Sequence, residues 1–273
     1  MNEPRAAARV LPIPNRKSKI PNQRAKRAKL RASFAASAPA LPATVPTRWV
    51  KFVVALFLLP PAWILTQTFF GAFARVTLQH HFWASEEFWF FALGLVIWLG
   101  AFFGLPRPLW IYVFGHELTH VLWVWMMGGR VSQFKITRHG GHILSDRINT
   151  WIALAPYFFP LYSLLVIALY GLAGLFWDMT SFRPVLYMLI GATWGFHISF
   201  TLWMIPRGQT DLTYGGTFFS LVVIYILNLA VLSVFLIAAT PAVSFASFGR
   251  DLLAHAIDFT TRATELLRAI HLP

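Results

Sequence analysis

Beyond residue 49 the chain alternates long apolar runs with short polar breaks. The runs cover residues 53–73, 88–104, 109–127, 151–177, 184–205 and 215–239. Each approaches or exceeds the roughly 20 residues that cross a hydrocarbon core at about 1.5 Å per residue. Pro60 and Pro61 predict a bend in the first run, and Pro156 and Pro160 predict a kink or an unwound entry in the fourth. Between the third and fourth runs, residues 131–137 partly alternate, with Phe134 and Ile136 on one face. A turn at His139-Gly140-Gly141-His142 and a return to Ser145 complete a β-hairpin, whose free edge suits an extended peptide. After the last run, Leu252, Leu253, Ala256, Ile257, Ala263, Leu266, Leu267 and Ile270 recur near helical spacing. Arg250, Asp251, Asp258, Arg262, Glu265 and Arg268 mark the other face, so residues 246–273 read as an amphipathic helix on the membrane. The pattern predicts an all-α polytopic membrane protein of about six transmembrane helices, with a small β-hairpin after the third. Six crossings place both ends of the chain on one side.

Composition supports this class. Hydrophobic residues make up 57% of the 273 residues and charged residues 12%, about half the charged share of a soluble domain. The net charge of +13 is uneven: residues 1–49 carry eleven Lys/Arg and one acid. With Pro12, Pro14, Pro21, Pro39, Pro42 and Pro46 this segment reads as a disordered basic cytoplasmic tail, followed by a transmembrane domain over 50–245. A basic segment before the first span points to a cytoplasmic N-terminus and to attraction toward anionic lipid. No folded nucleic-acid reader accompanies the charge, so no nucleic-acid partner is expected. There is no cysteine, which excludes disulfides and thiolate metal sites.

The chemistry lies in Gly115-His116-Glu117-Leu118-Thr119-His120, inside the third run. Residues four apart share a helix face, so both imidazoles reach one ion, and zinc is the ion this spacing suits. Glu117 follows the first histidine and stands where a general base for a metal-activated water would. Satisfied polar contacts in an apolar helix are the competing explanation, but ionisable groups gathered mid-span are costly and call for a use. A catalytic zinc takes a third protein ligand. Asp211 is one candidate, at a helix start between two late runs, where it also suits N-capping. His197 is the other, the only His, Lys, Arg, Asp or Glu inside the late apolar runs, where an interhelical hydrogen bond would equally account for it.

These residues resemble the site-2 protease family of intramembrane zinc metalloproteases. The resemblance rests on Gly115 to His120, on Gly128-Gly129-Arg130-Val131 opening the hairpin, and on the late Asp211, and it covers roughly residues 109–232. It implies that His116, His120 and Asp211 bind Zn2+ and that Glu117 is catalytic. The family usually presents its aspartate as Asn-Pro-Asp-Gly; here the context is Gln209-Thr210-Asp211-Leu212, with Gln209 in the asparagine's place as a polar donor. The implied activity is hydrolysis of membrane-protein substrates, in a bacterial inner membrane. A non-enzymatic membrane scaffold of the same ancestry is the alternative, and a transporter relaying through His116, Glu117 and His197 a weaker one. Strict alternation of six spans puts Asp211 on the face opposite His116 and His120. A fourth run that fails to cross straight, a dipping Asp211 segment, or His197 as ligand would each remove that conflict.

Overall fold

The computed structural model describes residues 47–78, 83–137 and 140–271. The basic tail up to residue 46, the polar break at Gln79-His80-His81 and the hairpin tip at His139 lie outside the described residues. The elements, in order, are α1 (Thr47–Thr77), α2 (Glu86–Gly104), α3 (Leu109–Met126), β1 (Val131–Thr137), β2 (Gly140–Ser145), α4 (Thr150–Phe158) and α5 (Leu161–Ala173). They continue with α6 (Arg183–Met204), α7 (Thr210–Tyr214), α8 (Thr217–Ala239) and α9 (Phe245–His271). The chain is mostly helical with a single antiparallel two-stranded sheet among the described residues. α1 starts at Thr47, inside the segment expected as tail, and runs as one helix through Pro60 and Pro61.

Among the described residues, four helices are long and apolar enough to cross a membrane: 49–77 in α1, α2, 180–207 around α6, and α8. α4 and α5 together qualify as a fifth span, bent by 72°. The bend has a local cause. The Asn149 side chain caps α4 by accepting from Ile152 N at 2.9 Å, and Pro160 stops it, because the ring cannot continue the hydrogen-bond ladder. The six expected crossings are therefore not what the helices offer. α3 is the one that falls short, since His116, Glu117 and His120 dilute its apolar run.

Contacts between helix ends show how the chain departs from alternation. In a strict up-and-down order, the start of α1 faces away from the start of α4 and from the end of α7. Yet Lys51 Nζ donates to Thr150 Oγ1 at 3.1 Å and lies 5.1 Å from the Tyr214 ring centroid. Arg147 and Asn149, just before α4, bond Met127 at the end of α3. The end of α3 thus belongs to the side where α1 begins; so does its start, since Arg107 just before it reaches the Trp203 ring at the end of α6, next to α7. At the other end, Arg75 of α1 pairs with Asp251 of α9, and Thr68 Oγ1 is 3.1 Å from His255 Nδ1. The first half of α9 therefore packs on α1 through Phe248, while Leu253, Ile257, Leu266 and Leu267 remain exposed.

Packing is tightest where α2 crosses α6. A Cβ at Gly94 would stand 1.9 Å from the Met188 carbonyl oxygen, and one at Gly191 would stand 2.0 Å from that of Phe91. Small residues let backbones approach where oil surrounds the helices and dispersion, rather than water expulsion, drives association. Two buried clusters flank the centre of the molecule. Leu154, Ala155, Tyr157, Phe158, Leu212, Val223 and Ile224 join α4, α7 and α8. Phe102, Tyr112, Phe196 and Phe200 join α2, α3 and α6.

Counting the bent pair as one crossing, five crossings put the start of α1 and the end of α8 on opposite faces. Compartment-sensitive reporters fused at residue 46 and after residue 273 are expected to report opposite sides. Reporters on the same side would mean an even number of crossings, four or six.

Candidate metal centre

The motif histidines stand one turn apart on α3, and α7 brings Asp211 against them. His116 Nε2 lies 3.1 Å from Asp211 Oδ2 and 3.3 Å from His120 Nε2, and His120 Nε2 lies 3.6 Å from Asp211 Oδ2. Ligand atoms on a tetrahedral zinc at about 2.0–2.1 Å stand roughly 3.3–3.4 Å from one another. The three observed separations scatter about that value, so the triangle has the size a zinc ion needs. It is the one His/Cys/Asp/Glu group among the described residues that could hold a metal.

The orientation of each imidazole is set by its other nitrogen. His120 Nδ1 is 2.8 Å from the Ile152 carbonyl oxygen. A carbonyl only accepts, so Nδ1 carries the hydrogen and, in the neutral ring, the Nε2 lone pair faces the centre. His116 Nδ1 sits 3.2 Å from the Tyr112 hydroxyl, one turn earlier on the same helix. Tyr112 in turn stacks on Phe200, with ring centroids 4.7 Å apart. Asp211 also has an outer partner: the Tyr157 hydroxyl donates to its Oδ2 at 3.2 Å. Tyr157 is fully buried, and its backbone carbonyl accepts from Asn228 Nδ2 at 2.8 Å. Hydrogen-bonded outer partners of this kind fix the orientation of the ligands.

Asp211 reaches the histidines because of the chain on either side of it. A 3-10 turn at Ile205–Arg207 is followed by Gly208 at φ +73°, a left-handed conformation that a side chain would strain. The next residue in α7, Leu212, is 2% exposed and plugs the α4–α8 cluster; burying it contributes about 2 kcal/mol. Ser220 Oγ donates to the Leu212 carbonyl at 2.9 Å, tying α7 to α8. The broken fourth run and the shared side of both ends of α3 remove the conflict expected from strict alternation.

Glu117 is 7% exposed and lies outside the ligand triangle, beside it. Strand β2 crosses directly over it: a Cβ at Gly141 would stand 2.4 Å from Glu117 Cγ, so only glycine lets the strand come this close. The histidines, Glu117 and Asp211 line a cavity of about 360 Å³ whose other wall is Gly140, Gly141, His142 and Ile143 of β2. The sequence placed Gly140 and Gly141 in a turn; they are paired strand residues opposite Thr137 and Ile136. Gln209 lines the same cavity, and its side chain makes no capping bond. His197 is not part of the ligand group. It borders a smaller cavity of about 30 Å³ behind His116, and its Nε2 has no hydrogen-bond partner among the described residues.

Sequence reasoning missed the outer partners. Tyr112 was within reach, since Tyr112, His116 and His120 form one stripe at four-residue spacing. Tyr157 and the Ile152 carbonyl carried no local signal, because tertiary packing alone brings them in. Comparison with known proteins finds no match to this chain among protein-family models, curated proteins or solved structures.

Tyr157→Phe removes the donor to Asp211 without changing shape. It is expected to weaken zinc affinity by about 10–100-fold, read by chelator competition on the purified protein. Unchanged affinity would remove Tyr157 from the site.

Proposed function

We propose that this chain is a zinc-dependent endopeptidase that cleaves membrane-protein substrates within or beside the bilayer. The observation that carries the reading is the convergence of His116, His120 and Asp211 at zinc-ligand separations, with Glu117 beside them at a cavity. The likeness of the motif to site-2 proteases supports the same reading. The Gln-Thr-Asp-Leu context, the departure that favoured a scaffold, leaves Asp211 at its ligand distance. The basic residues before α1 favour a cytoplasmic start in a plasma membrane of the bacterial inner-membrane kind.

Zinc, when bound, would polarise the scissile carbonyl and lower the pKa of the attacking water. His116 and His120 supply neutral nitrogen donors, their orientations fixed by Tyr112 and Ile152. Asp211 supplies the anionic oxygen, and Tyr157 holds that carboxylate in place. Glu117 takes the proton from the attacking water and hands it to the leaving amine. Gln209 stands on the cavity wall as a polar donor for the developing oxyanion. Strand β2 forms the opposite wall, and among the described residues its outer edge has no strand partner. An unwound substrate segment added there would lay its backbone across the metal site.

Glu117→Gln is expected to lower cleavage of a membrane-spanning reporter in proteoliposomes by about 10²–10⁴-fold while retaining zinc. His116→Ala is expected to lose both cleavage and zinc. Undiminished cleavage by the Glu117→Gln protein would remove the peptidase assignment.

A further inference from the structure

Two arginines converge on one indole at the rim of the metal-bearing region. Arg107 lies in the loop between α2 and α3, and Arg207 in the turn after α6. The Arg207 guanidinium carbon is 3.6 Å from the Trp203 ring centroid, and that of Arg107 is 5.2 Å from the same centroid and 4.7 Å from that of Phe102. Cation–π attraction accounts for each contact separately. It does not neutralise two like charges brought to one ring. Among the described residues, neither guanidinium pairs with a carboxylate. Arg207 uses one N–H on the Trp203 carbonyl, which caps the end of α6. Arg107 donates none to the described residues, so most of the ten N–H groups of the pair are free to meet an anion.

The surroundings indicate which anion. Arg107 and Arg207 sit at the ends of two candidate spans, the depth at which lipid headgroups lie. Large apolar side chains stand exposed beside them: Phe103 at 76%, Leu105 at 64%, Trp110 at 64% and Leu202 at 65%. A guanidinium pair binds phosphate oxygens bidentately, and an oily flank takes acyl chain. We propose that Arg107, Arg207 and Trp203 form a binding site for the phosphodiester headgroup of an anionic phospholipid. Part of the site stands on the turn that leads through Gly208 to Asp211. The assignment does not depend on peptidase activity.

The test uses the full chain in detergent, titrated with phosphatidylglycerol or phosphatidylcholine of the same acyl chains and read by native mass spectrometry. The wild-type protein is expected to bind phosphatidylglycerol roughly tenfold tighter. The combined Arg107→Gln and Arg207→Gln protein is expected to lose that preference, with zinc content unchanged. Arg107→Gln alone touches no capping bond and is expected to lose several-fold, which decides the matter if the double variant does not fold. Soluble glycerophosphate is expected not to bind measurably in the millimolar range. Full preference in a folded variant would overturn the assignment. So would binding of glycerophosphate equal to that of the lipid, or arginine-dependent binding of an acidic peptide in place of the lipid.

Discussion

Three lone-pair donors, drawn from positions up to 95 residues apart in the chain, face one point in a mostly buried setting. That convergence is the constraint on which the rest of the structure turns. Two imidazoles and a carboxylate removed from water lose solvation that packing alone cannot return. They are tolerated where they have hydrogen-bond partners, and here each of the three groups has one besides the other two. The Ile152 carbonyl and the Tyr112 hydroxyl hold the two imidazoles from outside, leaving their Nε2 atoms directed inward, and the Tyr157 hydroxyl holds Asp211 through the same Oδ2 that faces the histidines.

Several features of the fold serve to bring those groups together. The break between α4 and α5 lets a short α4, buried from Ile152 to Phe158, lie beside α3, so that the Ile152 carbonyl reaches His120 and the Tyr157 hydroxyl reaches Asp211. Leu212 anchors a five-residue helix that would otherwise have little to hold it, and Asp211 precedes it directly. Gly141 admits β2 to the surface of Glu117 and so forms a roofed cavity rather than an open groove. The α2–α6 crossing, closed by Gly94 and Gly191, supports the opposite wall through Phe102 and Phe200. Each is a local choice of residue with a consequence at the same point.

Much of this was legible in the chain, and for identifiable reasons. The four-residue spacing of His116 and His120 is a helix rule, and the alternation at Val131–Thr137 is a strand rule; both act over a few residues. The amphipathic α9 is visible in the same way. Crossing number was less legible, because an apolar run reports burial in oil or in protein alike. The α3 run has the length of a span, yet its three ionisable residues mark it as the least suited to face lipid. Asp211 against His197 could not be settled from composition, since the choice depends on a left-handed glycine and a buried leucine after a bent helix. Tyr157 was invisible for the same reason: its role exists only once α4 and α7 have met.

The central claim is that His116, His120 and Asp211 grip one zinc ion, and zinc-edge X-ray absorption on the purified chain tests it most directly. The account predicts about one zinc per chain, with a first shell of nitrogen and oxygen only, at about 2.0–2.1 Å, including two imidazoles. Asp211→Ala should change that shell, and His197→Ala should leave it intact. A chain that holds no stoichiometric zinc under native lipid conditions, or a shell that survives loss of Asp211 but not of His197, would contradict it.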